Sequence, residues 1–207
     1  MTAQRTPLSL AKVDGAKVDG AKVDRTNLET DQVEVTITYL EQRERPALTA
    51  PPPPQRKLAL LRAENPPVHF YRYLYDLVGA PYNWVSRRRL SDDELASIIH
   101  DDDVYLYLLY ADGVPAGMAE VDARSSGNHE LKFFGLAPDF IGAGLGRYFL
   151  ANVLDLIWSR APGRVRLETC SLDHSAALPL YQKFGFSVID RRKGFVERYN
   201  PPPSNRP

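Results

Sequence analysis

Three glycines at alternate positions, Gly142, Gly144 and Gly146, stand in the run LAPDFIGAGLGRYFL (residues 136–150), between the end of an apolar stretch and a segment of helical periodicity. Glycine lets a chain turn tightly and leaves no side chain between backbone N–H groups and a ligand. A helix opening directly on such a turn presents unpaired N–H donors and about half a positive charge, which suits a phosphate or diphosphate. Arg147 adds a full charge. A Walker-type triphosphate loop ends in Gly-Lys-Ser/Thr, whereas this one ends Gly-Arg-Tyr. A dinucleotide fingerprint starting at Gly142 needs glycine where Arg147 stands. Taken alone, the loop could also be a turn that binds nothing, since glycine clusters are common turn devices.

Other reactive side chains are sparse. The histidines His69, His100, His129 and His174 are scattered, and with one cysteine, Cys170, they give no metal-ligand spacing. Cys170 reads as a buried structural thiol rather than an acyl-carrying nucleophile. Asp101, Asp102 and Asp103 read as a solvated turn rather than a cation site. Lys+Arg and Asp+Glu number 26 each, so no global field draws the chain to nucleic acid or anionic lipid. A lone cysteine excludes an internal disulfide, and no apolar run approaches membrane-spanning length or a signal-peptide core, which points to the cytoplasm.

The elements that must hold the glycine turn follow from periodicity. The 207 residues, 43% hydrophobic and 25% charged, suit one soluble globular domain, expected over residues 31–200. Residues 11–24 repeat AKVDG, too polar to bury a core and weakened as a helix by glycine, so residues 1–30 are expected to be a disordered tail. Val33, Val35, Ile37 and Tyr39 alternate as a strand that would preface the domain, followed by a polyproline connector at Pro51 to Pro54. KLALLR (57–62) predicts a strand, residues 69–78 a helix, and Ser91 with Asp92, Asp93 and Glu94 a second helix start. Three antiparallel strands follow (104–110, 115–123 and 129–136), the first two joined at Asp112-Gly113. A helix with the stripe Phe149, Leu150, Val153, Leu154, Ile157 and Trp158 comes next, then strand RVRLETC, helix 176–184 and strand FSVID. The pattern predicts a mixed α/β sandwich and not a doubly wound sheet.

VPAGMAEVD, ELKFFGLAPDFIGAGLGRYFL and LETCSLDHSAALPLYQKFGF, in this order, resemble the core of GNAT-superfamily acetyltransferases over about residues 104–190. Two signatures carry the resemblance: the glycine-rich turn after a strand, and Ala-x-x-x-Tyr-x-x-x-Gly-Phe from Ala177 to Phe186. Members usually carry Arg or Gln where this chain has Ile141, and often Asn where it has His174. The resemblance implies a central, mostly antiparallel sheet flanked by helices, with acetyl-CoA as co-substrate.

The resemblance also implies residue roles. The pantetheine arm would run beside Phe133, Phe134, Gly135 and Leu136, and the diphosphate would sit on Gly142, Ala143, Gly144, Leu145, Gly146 and Arg147, with His174 nearby. Tyr181 stands where the family places the proton donor to the departing thiolate. Reference values of about 10 for tyrosine and about 8.5 for a thiol make full transfer slightly uphill, so its help would come from hydrogen bonding in the transition state. Glu130 is the favoured base, then Glu120, with Glu168 a third carboxylate. Simple alternation puts Glu130, Lys132, Phe134 and Leu136 on one strand face. Tyr73, Tyr75, Tyr82 and Trp84, with a basic rim at Arg87 to Arg89, would form the acceptor wall, which hints at an acceptor bearing a carboxylate or an apolar side chain. The expected acceptor is a primary amine, a small molecule more than a protein, and the protein a monomer or homodimer. The alternative is a catalytically weak acetyl-CoA-sensing domain acting through a protein partner.

Overall fold

The computed structural model describes residues 32–47 and 50–198, so the AKVDG repeat and the tail expected over 1–30 lie outside the described residues. One sheet of seven strands has the order β2-β3-β4-β5-β6-β1-β7. β2 (Leu58–Ala63), β3 (Val104–Ala111), β4 (Val114–Ser125) and β5 (Asn128–Leu136) form the antiparallel meander that periodicity predicts. β5 then pairs in parallel with β6 (Arg164–Cys170), and β1 (Gln32–Gln42) and β7 (Ser187–Glu197) close the sheet antiparallel. Four helices flank it: α1 (Val68–Gly79), α2 (Asp92–Ile99), α3 (Leu145–Trp158) and α4 (Ala177–Lys183).

Local chemistry accounts for the element ends. Asp112 and Gly113 both take positive φ, 53° and 92°, the pairing a tight two-residue hairpin requires. Ser91 caps α2 in a reciprocal box: its Oγ accepts from the Glu94 N–H at 3.3 Å and its own N–H donates to Glu94 Oε2 at 2.8 Å.

Contrary to the expectation from its place in the chain, β1 does not preface the domain. It is wedged between β6 and β7, with Tyr39 opposite Glu168 on one side and Asp190 on the other. Alternation identifies a strand, but its distant partners are chosen by the assembled core.

Two apolar layers sandwich the meander. On one face α3 buries Phe149, Leu150, Val153, Leu154 and Ile157 against Tyr107, Leu109, Val121, Leu131 and Leu167. On the other, α1 and α2 bury Tyr71, Leu74, Tyr75, Val78, Leu95 and Ile99 against Leu106, Leu108 and Met118. β3 is therefore apolar on both sides, which explains its unbroken run VYLYLLYA. Each fully buried side chain of this kind contributes about 1.5–3 kcal/mol.

A β-bulge in β5 resets the faces. Glu120 lies opposite Phe133 and Val121 opposite Leu131, which leaves Lys132 as the extra residue. Leu131, Phe134 and Leu136 pack on the α3 side, and Phe133 on the α1 side. The alternation expected for Glu130, Lys132, Phe134 and Leu136 is thereby broken: Phe134 and Leu136 face away from the side that unbroken counting from Glu130 assigns them.

Candidate active site

β5 and β6 pair only at Asn128–Arg164, His129–Val165 and Glu130–Arg166. Beyond Glu130 the strands part beside the Lys132 bulge, and residues 131–136 of one and 168–170 of the other line a cavity of about 680 Å³. Among the described residues, the β5 edge facing this cavity has no strand partner over residues 131–136, so its backbone groups are open to a ligand.

The glycine turn closes one end. Gly142 and Gly144 adopt φ of 83° and 77°, and a Cβ on either would meet no atom within 4 Å. Packing therefore does not require glycine at these two positions; the left-handed backbone does, and the space beside it stays empty of side chains. Gly144 caps α3 without any side-chain hydrogen bond, which leaves the first N–H groups of a 14-residue helix to be satisfied by solvent or ligand. Gly142, Gly144, Gly146 and Arg147 line the cavity; Ala143 does not, and Leu145 turns its side chain into the core, fully buried. Any contribution from these last two comes through the backbone. Phe134, Gly135 and Leu136 line the adjoining wall.

Tyr181 reaches the same cavity from α4. Its ring sits edge-on to Phe134 and Phe186, with centroids 6.3 and 6.2 Å away, and only 7% of the residue is exposed. Burial pushes its phenol well above the usual value, and the Asp173 charge pushes the same way. It therefore keeps its proton through the neutral range. The Gly-Phe that ends the signature is structural: Gly185, with φ of 89°, reverses the chain, its N–H bonds Gln182 O at 3.0 Å, and the Phe186 N–H returns to Tyr181 O at 3.1 Å. His174 also lines the cavity, its Nδ1 accepting from the Ala176 N–H at 3.1 Å.

The acids are distributed differently from the sequence expectation. Glu120 is fully buried beneath α1, accepting from the Tyr71 hydroxyl and, at 2.5 Å, from Arg87 Nη2, and it does not line the cavity. It has no path to a substrate there, because α1 covers its strand face. Glu130 bonds Lys132 Nζ at 2.8 Å and also lies off the cavity wall, although Lys132 is on it. Glu168 does line the cavity, and among the described residues its carboxylate makes no hydrogen bond or ion pair. It is exposed to water, but the protein atoms around it partly desolvate it and raise its pKa; Lys132 pulls the other way, and Glu130 and Asp173 add to the rise. Asp173 is occupied by the Thr169 hydroxyl at 2.6 Å and the Cys170 N–H at 2.8 Å.

The acceptor end combines distant segments. Tyr75, Trp84 and Phe133 form a cluster with centroids 5.0–5.4 Å apart, and Tyr82 lines the cavity with its ring edge-on to His174 at 6.4 Å; Tyr73 is instead 52% exposed and off the wall. Ile37 of β1 and Val196 of β7 complete it, positions with no local sequence signal because they arrive only through the β1–β7 pairing. The expected basic rim is committed elsewhere: Arg87 pairs with Glu120, Arg88 with Asp76 at 2.7 Å, and Arg89 with Glu197. Cys170 lines the cavity with its thiol pushed up, first by burial and then by Asp173, which disfavours the thiolate a nucleophile needs.

Of the remaining histidines, His100 bonds Pro66 O at 2.9 Å, and His129 is buried away from the cavity with its pKa lowered, first by burial and then by Arg160. Asp101 Oδ1 accepts from the Asp103 N–H at 2.9 Å within a turn. Among the described residues no group of three or more His, Cys, Asp or Glu could hold a metal ion, and no helix is long and apolar enough to cross a membrane.

Residues 63–186 match the family model described as "Acetyltransferase (GNAT) family". No curated protein matches the sequence. Solved structures with a similar fold include the ribosomal-protein-S18-alanine N-acetyltransferase from Escherichia coli, at 21% identity and TM-score 0.51, covering 63% of this chain and 78% of that one. A GCN5-related N-acetyltransferase from Sphaerobacter thermophilus aligns at 15% identity and TM-score 0.54 over 83% of this chain and 54% of its own. An aminoglycoside acetyltransferase from an uncultured soil metagenomic sample aligns at 12% identity and TM-score 0.51 over 62% of this chain and 87% of its own. Identities this low speak to the fold alone.

Proposed function

This chain belongs to the GNAT acetyltransferase family, and we propose that it transfers an acetyl group from acetyl-CoA to a primary amine, a small molecule rather than a protein, by direct attack. The observation that carries this reading is one cavity joining three features: the unpaired β5 edge, the uncapped start of α3 and the buried Tyr181. The first two suit a ligand with amide groups at one end and a diphosphate at the other. The empty space at Gly142 and Gly144 is the cradle that a Cβ would intrude upon. Residues 131–136 would pair with the amides, and the N–H groups from Gly142 to Arg147 would hold the diphosphate. Acetyl-CoA, when bound there, supplies an activated thioester.

The chain's own groups then manage protons. An amine is mostly protonated at neutral pH, and attack requires its neutral form. Glu168, on the cavity wall and unpaired, takes one proton from the ammonium; its raised pKa improves it as a base. As the C–N bond forms and the C–S bond breaks, the Tyr181 hydroxyl would hydrogen-bond the departing sulfur, and the second proton of the attacking nitrogen would reach that sulfur through solvent. Because burial makes Tyr181 a weak acid, its help is a hydrogen bond to developing charge, which contributes about 10²–10⁴-fold at most. Asp173 holds the turn before α4, which carries Tyr181. The aromatic acceptor end lies within a cleft rather than on a flat face, which favours a small amine over a protein surface.

Thiol release from acetyl-CoA across an amine panel, with a plus-acetyl mass shift on the product, tests the reading. Tyr181→Phe should lower kcat while acetyl-CoA binding by calorimetry persists. Binding without thiol release from any amine would instead support the sensing domain, and folded protein that fails to bind acetyl-CoA would refute both.

A further inference from the structure

Resting on the acetyl-transfer reading, we propose that the acceptor is a primary amine on an aromatic or branched apolar skeleton, bearing no carboxylate, with its ammonium docked on Glu168. The cavity wall away from the glycine turn is largely apolar. Tyr75, Trp84 and Phe133 form one aromatic surface, with Trp84 and Phe133 only half-buried, and Ile37 and Val196 extend it. A flat apolar skeleton gains on such a surface what a hydrated polyamine or aminosugar would lose by desolvation.

Charge decides the rest. No guanidinium from Arg87, Arg88 or Arg89 reaches the cavity, and each is already ion-paired. Lys132 does line it, but its ammonium is 2.8 Å from Glu130. The other cations on the wall, Arg147 and Lys183, belong to the glycine turn and α4, the end proposed for the diphosphate. An amino acid's carboxylate would therefore enter the acceptor end without a free cation to pair with, a costly desolvation. A cation meets the opposite situation, since Glu168, which makes no hydrogen bond or ion pair among the described residues, lines the same cavity as the aromatic faces, which themselves attract cations.

The experiment uses the full chain and acetyl-CoA with 2-phenylethylamine, phenylalanine, spermidine and a lysine-containing peptide as acceptors. Phenylethylamine and phenylalanine share a skeleton and differ by the carboxylate. The expected result is a kcat/KM for phenylethylamine roughly 100-fold or more above that for phenylalanine, the scale at which a pocket rejects a group it leaves unpaired. Val196→Arg should narrow this ratio at least about tenfold by improving phenylalanine, a gain that a misfolded variant could not show. Trp84→Ala should raise KM for phenylethylamine more than it lowers kcat. Efficient acetylation of phenylalanine, spermidine or the peptide, with phenylethylamine poor, overturns the acceptor assignment and leaves acetyl transfer standing. Absence of thiol release from every amine overturns the transfer reading and this inference with it.

Discussion

Replacing Arg87 with methionine removes the only cation that, among the described residues, pairs with a carboxylate that has no access to water. Glu120 is 0% exposed, the Arg87 side chain is 11% exposed, and after the change the Tyr71 hydroxyl is the single remaining donor to the anion. Breaking one side of a buried pair in this way costs about 3–5 kcal/mol, which for a domain of this size lowers Tm by roughly 6–20 °C. The double variant Arg87→Met/Glu120→Met removes both charges and leaves only the Tyr71 hydroxyl unpaired, a loss of about 1–3 kcal/mol, so it should be more stable than Arg87→Met alone. Thermal and urea unfolding of the wild type, both single variants and the double give the coupling directly. The same pair anchors the acceptor wall: the Arg87 guanidinium lies 5.3 Å from the Phe133 ring centroid, and Trp84 to Ser86 immediately precede it, whereas the Arg87 backbone N–H, which the substitution keeps, donates to the Tyr75 hydroxyl at 3.3 Å. Arg87→Met should therefore raise KM for the amine and leave acetyl-CoA affinity unchanged. A Tm loss under about 2 °C, or a double variant that falls by the sum of the singles, would refute this account of the pair.

Gly146→Ala tests the coenzyme end, because its Cβ would make only ordinary contacts, 3.7 Å to Leu136 and 4.0 Å to Leu180. Stability should hold or rise by up to about 1 kcal/mol, while acetyl-CoA affinity by calorimetry falls at least about tenfold; unchanged affinity would remove this position from the binding surface. Gly135→Ala should destabilise by about 1–3 kcal/mol in urea unfolding, since a Cβ there would lie 2.6 Å from Val78 Cγ1, a fully buried side chain of α1. For Glu168, the native state holds a proton more tightly than the unfolded chain, so its stabilising contribution is present below the unfolded value and lost as pH rises through the folded one. Glu168→Gln should accordingly melt higher than wild type at pH 7, with no such advantage below about pH 4. It should also abolish the acid limb of kcat/KM, which in the wild type lies above the ordinary glutamate range; an unmoved limb assigns the base elsewhere.

Much of this protein is decided locally and was legible in its residues. The Asp112-Gly113 hairpin, the Ser91 capping box, the apolar stripe of α3 and the run of α4 into Gly185 each follow from conformational preferences and periodicities within a few positions. So does the strand, glycine turn and helix order, because the positive φ of Gly142 and Gly144 needs glycine whatever the rest of the chain does. The pairing of distant strands was not legible, and neither were its consequences. β1 enters between β6 and β7 and brings Ile37 and Val196 to the cavity. Lys132 bulges out of β5 and reverses the side-chain alternation beyond it. α1 covers Glu120 and the parted strands expose Glu168, so three glutamates that look alike along the chain acquire different surroundings. Strand identity depends on near neighbours and survives in the linear order; register, bulges and desolvation depend on which surfaces the core brings into contact, and these exist only once the sheet has closed.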